Sequence, residues 1–412
     1  MNFKERLRNF GPGILITAAF IGPGTITTCT LTGAGFGYAL LWGLVFSIFA
    51  TIILQEMTAR LGIIGKRGLG EALRQQFSSP IPKAIAIVLV LSAILIGNAA
   101  YETGNILGAS LGMIEISGIS SFSVAGVRIQ FWGPVIGIIA FGLLLLGSYK
   151  SLERILIGLV LLMSISFMTT TVIIGPALLP ILKGMFVPSM PSGSLYMLIG
   201  LIGTTVVPYN LFLHASIVQE KWKSKKDLKT ARTDLLFSII LGGMISMSIV
   251  ITAATAFYGS NTEIKGAGDL ASQLKPLLGN WAGIFMALGL FAAGISSAIT
   301  APLAAAYATS GILGWKVDLK SKRFKAVWMI ILFIGIVFSA IGFSPIKAIV
   351  FAQFANGILL PVIAIYLLII MNSKKVLAKF TNKPIQNIIG IIVVIVMIGL
   401  GVKSILHVIG LF

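Results

Sequence analysis

Negative charge is scarce in this chain. Its 412 residues hold 12 Asp and Glu against 31 Lys and Arg, with two His and a single Cys. The lone Cys29 excludes an internal disulfide framework and a thiolate metal cluster. Two histidines leave no nucleophile–histidine–acid set to assemble, and no Gly-x-x-x-x-Gly-Lys loop is present to cradle a phosphate. The chain is therefore expected not to be an enzyme, to need no cofactor and not to run on ATP. Polar stretches are short as well. The largest, residues 220–234, reads as a connector, so no soluble module is expected.

What fills the chain instead is apolar: 57% of residues, with a mean hydropathy of +1.01 and only 10% charged. A soluble domain of this length could not hide so much apolar surface, so the solvent must be a lipid bilayer. The 46 glycines suit helices that approach closely without a hydrophobic drive between them. Apolar runs of about 20 residues place eleven spans near 12–32, 39–60, 84–113, 130–148, 155–179, 194–219, 234–258, 280–313, 325–343, 348–371 and 385–411.

The net charge of +19 invites a nucleic-acid partner, but its distribution argues against one. With the N-terminus inside, every Lys and Arg except Arg128, Lys183, Lys265, Lys275, Lys347 and Lys403 falls in a cytoplasmic segment. That asymmetry predicts a protein of the cytoplasmic membrane with its N-terminus inside and its C-terminus outside. The basic loops then face anionic lipid headgroups. A basic tail followed by a Pro/Gly-broken apolar run reads as a retained first helix rather than a cleaved leader.

Two spans are interrupted at mid-membrane depth, at Ile21-Gly22-Pro23-Gly24-Thr25 and at Thr204-Thr205-Val206-Val207-Pro208-Tyr209. Unwound backbone inside a bilayer is tolerated only against protein or a water-filled cavity. Two such breaks at corresponding positions of two halves point to the binding site of a secondary transporter. The expected organisation is one transmembrane domain over 1–412, with repeat 1 at about 12–179, repeat 2 at about 194–371 and an extra helix at about 385–411. An odd number of spans in each half turns the two repeats upside down relative to one another.

Residues 9–42, Ile53-Leu54-Gln55 and Ala59-Arg60-Leu61-Gly62-Ile63 resemble the first two helices of the Nramp family of divalent metal transporters. The resemblance continues through Gly147-Ser148-Tyr149-Lys150-Ser151-Leu152-Glu153, residues 203–216, residues 274–304, and Gln353 with Leu360-Pro361. It implies an all-α integral membrane protein with a LeuT-like 5+5 inverted repeat, eleven transmembrane helices, and helices 1 and 6 broken. It also implies a small-molecule or ion substrate, with proton coupling as an expectation.

The resemblance fails at the metal ligands. Where the family's first break reads Asp-Pro-Gly-Asn, this chain has Gly22, Pro23, Gly24 and Thr25; where the second reads Met-Pro-His, it has Val207, Pro208 and Tyr209. The acidic motif of span 3 keeps one carboxylate, Glu102, with Asn105 in the second place, and only His214 remains of two span-6 histidines. A dehydrated divalent ion without compensating charge is very costly, and hard cations normally require carboxylates or retained waters. No metal site is therefore expected. A small organic acid or zwitterion suits the helix starts after Pro23 and Pro208, with Thr25, Thr204, Thr205, Tyr209 and Asn210 as hydrogen-bonding groups and Gln353 closing over the solute.

Each position has a plainer alternative. Gly22-Pro23-Gly24 as a simple kink, Tyr209 and Thr25 as packing residues, and Asn98 and Asn356 as interhelical hydrogen bonds all fit membrane helices. Glu102 is the candidate for proton uptake, against a structural pair with Lys325. His214 either titrates near neutrality or packs with a hydrogen bond. Glu56, four residues before Arg60, suggests an ion pair. Two rival functions remain: a partly hydrated divalent cation carried as in the parent family, and a receptor that binds a solute without moving it.

Overall fold

Proline places the helix starts. Pro23, Pro80, Pro208, Pro345 and Pro384 each open a helix, at a position where the missing N–H has no partner to lose. The computed structural model describes residues 21–124, 127–147, 150–260, 262–341 and 343–408. The first arm of the broken first span, residues 12–20, lies outside the described residues, as do Lys4, Arg6, Arg8, Ser148 and Tyr149.

The helices are α1 (Pro23–Phe36), α2 (Leu41–Gly65), α3 (Leu69–Gln76), α4 (Pro80–Ser117), α5 (Trp132–Leu146), α6 (Lys150–Ile174), α7 (Leu178–Phe186), α8 (Leu195–Thr205), α9 (Pro208–Lys221) and α10 (Leu228–Phe257). They continue as α11 (Ala267–Ala271), α12 (Lys275–Leu278), α13 (Ala282–Leu313), α14 (Lys322–Ala340), α15 (Pro345–Met371), α16 (Lys374–Leu377) and α17 (Pro384–Val408). Nine segments of the described residues are long and apolar enough to cross a membrane. With the shorter apolar α5 and with α1, they account for the eleven expected spans.

Span lengths differ from the sequence reading. α4 has 38 residues, roughly 57 Å at about 1.5 Å per residue, and so projects well beyond a hydrocarbon core of about 30 Å. α5 has only 15 residues. The joint between them is an antiparallel ribbon, β1 (Ser121–Val124) and β2 (Val127–Gln130), in which Phe122 faces Ile129; its short strands left no distinct periodic signal. α7 is a separate helix that begins at the expected end of span 5 and occupies the first part of what was expected to be a loop before span 6.

The packing repeats under exchange of spans five apart, as an inverted repeat requires. α1 lies on α10, and the α8–α9 pair lies on α2. α4 packs on α15 as α13 packs on α6, and α14 meets α4 as α5 meets α13. The most intimate pair, α4 with α13, exchanges with itself. Small residues permit these approaches: Gly112 sits against Ala287 and Phe291, and Gly294 against Ala109.

The cations of one end converge in space. Lys66 donates to the Lys223 carbonyl at 2.6 Å, Arg74 to the Leu313 carbonyl at 3.4 Å, and Arg60 to the Phe380 carbonyl at 3.1 Å. Glu56 joins Arg60 at 3.1 Å, the pair its spacing predicts, and also takes Arg232. At the opposite end, Gln273 donates to Thr30 at 2.8 Å and accepts from Thr252 at 3.0 Å. This fastens the α11–α12 segment over α1.

Candidate functional site

Both breaks are local consequences of proline. Gly22 (φ −91°, ψ 175°) and Val207 (φ −82°, ψ 124°) are extended, because a following proline disfavours the helical region. α1 and α9 start at Pro23 and Pro208, and their first-turn N–H groups have no carbonyl upstream in their own helix. Each start therefore carries a partial positive charge.

The breaks meet through side chains. Thr25 and Thr204 place their hydroxyls 2.9 Å apart, and both residues are buried. Gln353 of α15 lies across Gly24, where an added Cβ would run into its carboxamide; its Oε1 finds no hydrogen-bond partner among the described residues. At Gly22, a Cβ would sit 3.3 Å from Ser297 Oγ of α13 and 3.5 Å from Tyr101 Oη of α4. Tyr101 meets Tyr209 edge to face, with ring centroids 5.4 Å apart. Asn210, in the first turn of α9, is buried with its Nδ2 unpartnered among the described residues. Gly22, Pro23, Gly24, Thr25, Thr204, Tyr209 and Gln353 thus converge, with Val207 and Asn210 flanking them on α9.

Tyr101 and Ser297 were missed in the sequence. The available signals were weak: Tyr101 directly precedes Glu102, and Ser297 ends a Gly-Ile-Ser-Ser run. Neither is distinctive until α4 and α13 are brought together at Gly22.

Other candidates turn elsewhere. Thr205 donates to the Leu201 carbonyl of its own helix at 3.0 Å and faces α10. Glu102 is fully buried on the face of α4 that meets Gly335 of α14. Its Oε2 accepts from Asn105 at 3.4 Å, its Oε1 has no partner among the described residues, and it makes no ion pair there, with Lys325 or otherwise. His214 Nδ1 lies 3.0 Å from Thr58 Oγ1, linking α9 to α2 away from the breaks. Asn98 bonds back to the Ile94 carbonyl at 2.8 Å rather than across to another helix.

Among the described residues, no three of His, Cys, Asp or Glu gather so as to hold a metal ion. The groups around the breaks are hydroxyls, amides and helix starts. Phe212, Ser216 and Gln219 follow Tyr209 along one face of α9. They line a recess of about 570 Å³ at the basic end, together with Lys66, Glu71 and Tyr307.

Residues 13–407 match the sequence model of the Nramp family, described as natural resistance-associated macrophage protein-like. The chain belongs to the Nramp family. Among similar proteins are the divalent metal cation transporters MntH of Aeromonas hydrophila, 27% identical over 96% of this chain and 95% of that protein, and of Bacillus subtilis, 26% identical over 97% and 92%. The manganese transporter of Eremococcus coleocola, solved with an aromatic bis-isothiourea compound, superposes with a TM-score of 0.75 at 21% identity, over 98% of this chain and 87% of that one. Mhp1, a nucleobase-cation-symport-1 family transporter solved in a closed conformation with bromovinylhydantoin, gives 0.54 at 14% identity, over 98% and 94%. This Nramp chain is thus an integral membrane transporter with the LeuT-like fold.

Proposed function

We propose that this Nramp-family transporter moves a small organic solute bearing a carboxylate, an organic acid or zwitterion, by alternating access. The observation that carries the reading is the neutral site at Gly22, where Ser297 Oγ and Tyr101 Oη approach the space a side chain would fill. The positions at which the resemblance implies metal ligands are Gly22, Thr25 and Val207, none of them charged. Such a site offers a cation no compensating charge, whereas helix starts and hydroxyls suit a carboxylate. The solute is exchanged through the recess at the basic end, the cytoplasmic side under the positive-inside rule. The bundle forms one transmembrane domain whose repeats span about 12–179 and 194–371, with 385–411 outside them. Glu102, buried without a counter-cation among the described residues, is the group for proton coupling.

A second reading is favoured by the relatives, which are named as divalent metal cation transporters along nearly the full length of this chain. Purified protein in proteoliposomes separates the two. Saturable uptake of a small carboxylate, without competition by Mn²⁺, is expected. Saturable Mn²⁺ uptake, lost on substitution at Gly22 or Thr25, establishes the metal reading instead.

A further inference from the structure

At the basic end, a groove of about 410 Å³ opens between α2 and the starts of α10 and α17. Its wall is apolar, built by Ile53, Ile385 and Ile389, and its rim carries Glu56, Arg232 and Lys383. The charges on this rim do not balance. Glu56 is shared between two guanidiniums, Oε2 with Arg60 at 3.1 Å and Oε1 with Arg232 Nε at 3.0 Å. Arg60 is buried; its Nη1 donates to the Phe380 and Thr381 carbonyls and its Nη2 to Asn382, while its Nε has no partner among the described residues. Arg232 remains 47% exposed, and Lys383 is exposed and makes no ion pair among the described residues. One carboxylate therefore faces three cations, and two of these reach the groove mouth.

The depth ordering is that of a phospholipid. The cations stand at helix ends, where headgroups lie, and the isoleucines follow along α2 and α17 towards the hydrocarbon. Basic pockets between membrane helices on the basic side attract anionic headgroups. We propose that this groove binds one anionic phospholipid, with its phosphate between Arg232 and Lys383 and an acyl chain along Ile53, Ile385 and Ile389. α17 lies outside the exchange-related pairs, and the bound lipid ties it to α2 and α10.

The test uses the full-length protein in phosphatidylcholine vesicles containing a small, fixed fraction of photo-crosslinkable phosphatidylglycerol or, in parallel, phosphatidylcholine with the same chain. Crosslinks on residues 384–392 are counted by mass spectrometry. The wild type is expected to prefer phosphatidylglycerol, and Lys383→Gln to lower that preference about fivefold, the factor expected for one interfacial cation. Lys383→Arg should retain it, and Lys383→Gln combined with Arg232→Gln should abolish it. Lys383 makes no side-chain ion pair among the described residues, so the single variant leaves the fold intact, which an unchanged melting curve in phosphatidylcholine confirms. Equal crosslinking by the two lipids in the wild type, or a preference that survives the double substitution, overturns the proposal.

Discussion

At Gly22 the groups nearest the space a side chain would fill are Ser297 and Tyr101. If the site holds a carboxylate solute, Ser297→Ala and Tyr101→Phe each remove one neutral hydrogen bond, at about 0.5–1.5 kcal/mol. Transport measured in proteoliposomes should then show KM rising roughly 2- to 10-fold. Gly22→Asp places a negative charge beside the solute's own; it should raise KM for an anion by more than about tenfold. Unaltered anion uptake in that variant counts against the reading. The Thr25–Thr204 hydrogen bond spans 2.9 Å between the two breaks. A double-mutant cycle with valine at both positions, read by reversible unfolding in detergent, should return a coupling of about 0.6 kcal/mol, typical of hydrogen bonds between membrane helices.

Between elements, close backbone approach decides what a helix can carry. A Cβ at Gly203 of α8 would fall onto the Gln353 carbonyl and the Gly357 backbone of α15, where neither neighbour can rotate aside. Gly203→Ala should therefore cost about 1–3 kcal/mol as overpacking, seen as a lower melting temperature. Gly142 of α5 has open space around it, so Gly142→Ala should leave that temperature unchanged or slightly raised. The two substitutions are chemically identical, so a similar drop in both would contradict the packing described here. Helix starts are the part of this level that the sequence discloses well, since proline marks α1, α4, α9, α15 and α17. The ribbon after α4 and the separate helix α7 were not legible, because a few residues carry too little periodicity to tell one state from another.

Across the molecule, the basic end is both an address and a clasp. Glu56 joins α2 to α10 through Arg232, and Arg60 extends the same network to the loop before α17. Glu56→Gln leaves the buried Arg60 without its carboxylate and should cost between about 1 and 3 kcal/mol. Arg232→Gln removes a half-exposed partner and should cost under about 1 kcal/mol. Chemical denaturation orders the two, and a reversed order would locate the strain elsewhere. Orientation is checked by labelling. Cys29 is buried, so an impermeant thiol reagent on intact cells should modify Lys265→Cys, and should reach Lys225→Cys only after permeabilisation. The opposite pattern would invert the topology.

Membrane residence, span number, the two breaks and the family could be settled from the order of residues alone. The family rests on the resemblance of whole segments; the others follow from near-range chemistry: apolar run length against bilayer thickness, the absent N–H of proline, and the placement of cations in loops. The convergence of Tyr101 and Ser297 on Gly22, the turning of Glu102 towards α14, and the sharing of Glu56 between two arginines were decided only by the tertiary structure. Those contacts join residues far apart in the chain, and which face of each helix meets its neighbour depends on the packing of every other helix in the bundle.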